Sequence, residues 1–105
     1  MITSKKILDF IKQFSQFGPE VENCFTLGNC YWFAEILSMR FHKLKPKMMY
    51  APIEGHFGCR ICGKVYDITG EVTNNYYWRF FDDIKTEDPK WLSRITKNCI
   101  LKEYD

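Results

Sequence analysis

No apolar run in the sequence approaches the ~20 residues that a membrane-spanning helix requires, so a bilayer span is not expected. The opening MITSKKILDF lacks the apolar stretch of an export signal. Internal repeats, low-complexity tracts and interdomain linkers are also missing, and 105 residues then read as one domain, 1–105. Neither sign of charge dominates: 15 Lys and Arg stand against 13 Asp and Glu, giving a net charge of +2. The charge pattern argues against a nucleic-acid partner, which needs a concentrated basic face, whereas these cations are scattered among acids. Their densest cluster, Lys43, Lys45 and Lys47 around Pro46, reads either as a solvated connection or as a phosphate or partner contact. The five cysteines are an odd number, which disfavours a fully paired secreted framework and points to reduced thiols in a cytoplasmic setting.

What is present is apolar and aromatic. With 46% hydrophobic and 17% aromatic residues the chain has the means to build an ordered core, which sets disorder aside. Ser4 is a candidate cap for a first helix in which Ile7, Leu8, Phe10, Ile11 and Phe14 form a broad stripe ending at Gly18-Pro19. Residues 20–29 have no clean period and read as a loop. A second helix is expected from Cys30 to about Phe41, with Phe33, Ala34, Leu37 and Phe41 on its inner face. Beyond Pro46 come a strand over Lys47 to Ala51 and a hairpin turning at Cys62-Gly63. YYWRFF, residues 76–81, is compatible with a strand or a short helix, and a helix over residues 89–97 and a strand over 99–104 close the chain.

A two-residue turn at Cys62-Gly63 fixes which side chains share a face. Ile61 opposes Lys64, Arg60 opposes Val65, and His56 becomes a diagonal neighbour of Asp67, with Gly58 leaving room for the imidazole to lean toward the carboxylate. A three-residue loop would separate the pair. The opposite face carries Phe57, Cys59, Ile61, Tyr66 and Ile68, suited to packing beneath the Cys30 helix. With that helix start near His56, its terminal N–H groups and positive potential favour a Cys30 thiolate. His56 is then a candidate base and Asp67 its orienting acid. The Cys30 N–H is one oxyanion donor, with Asn29 or Asn23 a second. The structural alternative stays open: a packed cysteine, a strand-end histidine and a turn aspartate.

GNCYWFAE, residues 28–35, resembles the nucleophile turn of papain-superfamily thiol enzymes, and HFGCRICGKVYDITG, residues 56–70, resembles the histidine and aspartate strands of the transglutaminase-like branch. The resemblance covers roughly residues 23–70. It implies an α+β fold with a papain-like or transglutaminase-like minimal core, a helix packed on a small antiparallel sheet. It assigns nucleophile, base and orienting roles to Cys30, His56 and Asp67, and implies acyl transfer at an amide by a peptidase, deamidase or transglutaminase-like enzyme without a cofactor. The papain oxyanion glutamine has no counterpart, because Cys24 occupies that position. The partner would be a protein or peptide substrate, or a host-protein target.

Two other uses of these residues compete. A noncatalytic protein-binding or inhibitor module, phage-encoded, could keep the fold and recognise a partner through rings such as Tyr76, Tyr77, Trp78, Phe80 and Phe81. Alternatively Cys59 and Cys62, two residues apart at a glycine turn, resemble half of a structural zinc site.

Overall fold

Prolines 46 and 52 bracket a run of five residues, and that run forms strand β1, Lys47–Ala51, with the bounds its flanks suggest. The computed structural model describes residues 2–16, 30–87 and Lys90. Helices α1 (Ile2–Ser15) and α2 (Cys30–Arg40) precede β1, and a 3-10 turn at His42–Leu44 leads into it. Strands β2 (His56–Ile61), β3 (Lys64–Asp67), β4 (Gly70–Glu71) and β5 (Arg79–Phe80) follow, and then helix α3 (Phe81–Glu87). The strands form one antiparallel sheet in the order β4-β3-β2-β1-β5.

The β2–β3 hairpin has the expected register, with Ile61 opposite Lys64, Arg60 opposite Val65 and Cys59 opposite Tyr66. Cys62 and Gly63 both have positive φ, 52° and 84°, the left-handed pair that a two-residue type I′ turn demands. Glycine meets that demand without strain, whereas Cys62 is held there by the strands on either side.

One face of the sheet carries the helices. Phe57, Cys59, Ile61, Tyr66 and Ile68 are buried with Ile7 and Ile11 of α1 and Cys30, Phe33, Ala34 and Leu37 of α2. The fold is therefore α+β, with helices packed against a small antiparallel sheet. The other face has a smaller core, in which Met49, Val65 and Val72 are covered by Tyr76 and Trp78. The Trp78 indole N–H donates to the Val72 carbonyl at 3.1 Å, which fixes the ring over the sheet. Among the described residues no helix is long and apolar enough to cross a membrane.

Several local expectations change. Helix α1 begins at Ile2, so Ser4 lies within it rather than capping it, and its hydroxyl shares a 3.2 Å hydrogen bond with the Tyr66 hydroxyl. The α1 stripe is narrower than its composition suggests, because Leu8 is exposed. Helix α2 stops at Arg40, leaving Phe41 in the following turn. YYWRFF divides: Arg79–Phe80 pair with β1 and Phe81 opens α3. The end of the first helix at Gly18-Pro19, the loop over 20–29 and the strand over 99–104 lie outside the described residues, as does the helix over 89–97 apart from Lys90.

The space beside Gly58 has a different occupant from the one expected. A Cβ at this position would sit 2.8 Å from Val65 Cγ1 and 2.9 Å from the Trp78 ring, so the glycine makes room for an indole rather than an imidazole. Gly58→Ala should therefore destabilise the protein by about 1–3 kcal/mol through overpacking. Urea unfolding of the variant checks this, and an unchanged midpoint would show that Trp78 does not press on the strand.

Candidate functional site

His56 opens β2 and Asp67 closes β3, so the hairpin register brings them together from strand ends. His56 Nε2–H donates to Asp67 Oδ2 at 2.7 Å, and both side chains are buried. Asp67 Oδ1 accepts two further hydrogen bonds, from the Thr69 backbone N–H at 2.8 Å and the Thr69 hydroxyl at 2.6 Å. Both carboxylate oxygens are thus engaged inside the protein. Burial alone would raise the Asp67 pKa, but the hydrogen bonds from His56 and Thr69 and the imidazolium charge bring it below the usual range.

Cys30, the first residue of α2, reaches the imidazole from the helix layer. Burial acts to lower the His56 pKa, yet hydrogen bonds to Asp67 and to Cys30, together with the charges of both, raise it from 6.5 to about 9. His56 is consequently an imidazolium at neutral pH. With Nε2 committed to Asp67, Nδ1 is the ring nitrogen left to serve the sulfur. Rings close over this pair, with the Tyr76 centroid 5.3 Å and the Trp78 centroid 5.9 Å from that of His56.

The structure thus brings Cys30, His56 and Asp67 into one network. The oxyanion candidates Asn29 and Asn23 lie outside the described residues. Thr69, Tyr76 and Trp78 complete the surroundings, and no role beside His56 was assigned to them from the sequence. For Thr69 a signal was present: Asp-Ile-Thr at 67–69 has the spacing at which an aspartate accepts from the residue two positions on.

The zinc reading finds no ligand set among the described residues. Cys59 is fully buried in the core and burial pushes its thiol up to about 12, while Cys62 is exposed at the turn. Adjacent to one hairpin but in opposed environments, the two sulfurs do not form half a tetrahedral site. Among the described residues no group of three or more His, Cys, Asp and Glu side chains could hold a metal ion.

Residues 7–101 match the family described as Phage YunG-like protein. The chain belongs to this family. No curated protein matches it, and no solved structure does. Membership in the Phage YunG-like family, with no catalytic metal or cysteine cluster among the described residues, corrects the expectation of a cysteine-dependent enzyme acting on amide bonds. Access points the same way, since Cys30, His56 and Asp67 are only 5%, 9% and 4% exposed. Acyl transfer would require a substrate carbonyl to reach the sulfur, and all three groups are buried. A noncatalytic module accounts better for this member of the family.

The network's pH dependence has a defined sign. A raised His56 pKa contributes stability that is complete below about pH 6.5 and is lost as pH rises through about 9. The lowered Asp67 pKa contributes stability above its ordinary value of 3.8 that is lost on acidification. Replacing Asp67 with Asn should cost about 3–5 kcal/mol by leaving a buried imidazolium without its counter-ion. It should also flatten the decline between pH 6 and pH 10. Denaturant midpoints for both proteins across this range provide the check, and parallel pH profiles would remove the pair from the stability account.

Proposed function

We propose that the protein is a noncatalytic, phage-encoded protein-binding or inhibitor module on a papain-like or transglutaminase-like minimal core. A helix opening on Cys30, and an antiparallel pair presenting His56 and Asp67, support kinship with the thiol-enzyme scaffold. The observation that carries the reading is the burial of this constellation: a 5% exposed sulfur beside a buried imidazolium-carboxylate pair suits a role in the architecture of the domain. Recognition then falls to the surface, where large apolar side chains such as Met39, Ile53 and Tyr77 are exposed. A host protein is the partner this reading implies. The odd number of cysteines in the sequence supports a cytoplasmic setting.

Site-resolved mass spectrometry after brief iodoacetamide treatment tests this burial. In the folded protein Cys62 should be modified while Cys30 and Cys59 stay protected. Stability supplies an independent readout. Architectural use of the thiol means that Cys30→Ala should lower stability by about 1–3 kcal/mol, because His56 loses a buried partner. Residues strained for chemistry commonly become more stable on replacement. Rapid alkylation of Cys30 ahead of Cys62, or a Cys30→Ala protein more stable than its parent, would overturn the noncatalytic reading.

A further inference from the structure

Residues of α1 and of the turn after α2 line a groove of about 660 Å³, and none of these residues belongs to the His56 network. Its aromatic part is Phe10 and Phe41, packed edge to face with centroids 5.7 Å apart. The Arg40 guanidinium lies over both rings, 5.6 Å from the Phe10 centroid and 5.2 Å from that of Phe41. That stacking holds a long cationic side chain at the groove with less conformational freedom left to lose on binding. Lys6 and Lys43 add two more exposed cations. Among the described residues Lys6, Arg40 and Lys43 are in no ion pair, and the groove's one carboxylate, Asp9, lies 3.7 Å from Lys5. A structural role explains part of this, since a cation in the last turn of α2 suits the helix dipole. It does not explain why three cations gather around an apolar floor.

We propose that this groove binds an acidic peptide segment of a partner protein, with carboxylates meeting Lys6, Arg40 and Lys43 and an apolar side chain resting against Phe10 and Phe41. The inference rests on the protein-binding reading above and gives it a partner chemistry. The volume suits a few side chains rather than a folded surface. A nucleic-acid strand fits less well: Asp9 opposes a phosphate backbone, and the two rings pack on each other and on Arg40 rather than presenting open faces to bases.

Fluorescence anisotropy with a labelled peptide of alternating Glu and Leu residues tests the assignment on the full chain. Its controls are the same peptide with Gln in place of Glu and a labelled oligodeoxythymidylate. The Glu peptide should bind more tightly than the Gln peptide, and more weakly as salt is added. The double variant Lys6→Glu/Lys43→Glu alters only exposed side chains and should weaken binding by about tenfold or more. A second variant, Lys64→Glu, reverses an exposed charge outside the groove and should bind as the parent does. Equal binding of the two peptides, an unaffected double variant, or preference for the oligonucleotide would each overturn the proposal. A defect shared by Lys64→Glu would also overturn it, by tracing the effect to net charge. These outcomes are independent of Cys30 reactivity, so loss of the groove assignment and loss of the noncatalytic reading are distinguishable.

Discussion

The hydrogen bond between His56 Nε2 and Asp67 Oδ2 is the contact on which the rest of the arrangement depends. It exists only in one register of β2 against β3, because a slip of one residue would send every side chain of a strand to the other face. The left-handed pair at Cys62 and Gly63 sets that register. Once formed, the ion pair penalises departures from it, since separating the partners leaves a charge buried and uncompensated. A buried pair is not a strong source of net stability compared with well-packed apolar residues, but breaking it by removing one partner is costly. The two hydrogen bonds from Thr69 matter for the same reason: they satisfy the second carboxylate oxygen, which would otherwise be another buried acceptor without a partner.

Helix α2 is tied to this hairpin in two ways. Phe33, Ala34 and Leu37 bury against the face that carries Phe57, Cys59 and Tyr66, which is a nondirectional constraint. Cys30 meets the imidazole, which is directional and fixes where the helix starts relative to β2. On the far face Trp78 performs a comparable task, with its ring against Gly58 and its N–H on the Val72 carbonyl. The sheet is thus clamped between a helical layer and an aromatic segment, and His56 lies where the two clamps meet. This explains why its imidazolium persists in a buried place: a carboxylate, the Cys30 sulfur and aromatic rings replace the water it has lost.

The parts legible in the sequence were those decided by short-range rules. Pro46 and Pro52 delimited β1, Cys62-Gly63 announced the turn, and strand alternation then paired His56 with Asp67 and placed Phe57, Cys59 and Ile61 under α2. What could not be read depended on distant residues. Ser4 has the chemistry of a cap, but Tyr66 gives its hydroxyl another partner. Gly58 looked like room for its near neighbour in the hairpin, while the ring that fills it comes from Trp78, twenty positions along. The unbroken aromatic run at 76–81 has no period, so pairing of Arg79 and Phe80 with β1 decides where the strand ends and α3 begins.

Access to the sulfur is the clearest case of a property invisible in residue order. Thiol, imidazole and carboxylate in that order along the chain define a set of proton donors and acceptors, and the set is equally consistent with chemistry and with an internal brace. The difference lies in whether a substrate can displace what covers the site, and cover is supplied by several elements at once, none carrying a local signature of it. In this protein the same three groups that suggest an active site also form a polar contact between two strands and a helix. Among the described residues, unpaired cations lie on the exposed sides of α1 and the turn after α2, where the Arg40 guanidinium is stacked on two rings. Division of labour follows from dielectric: the buried charges are mutually compensated and fix the fold, while the solvated cations keep their field available to something outside.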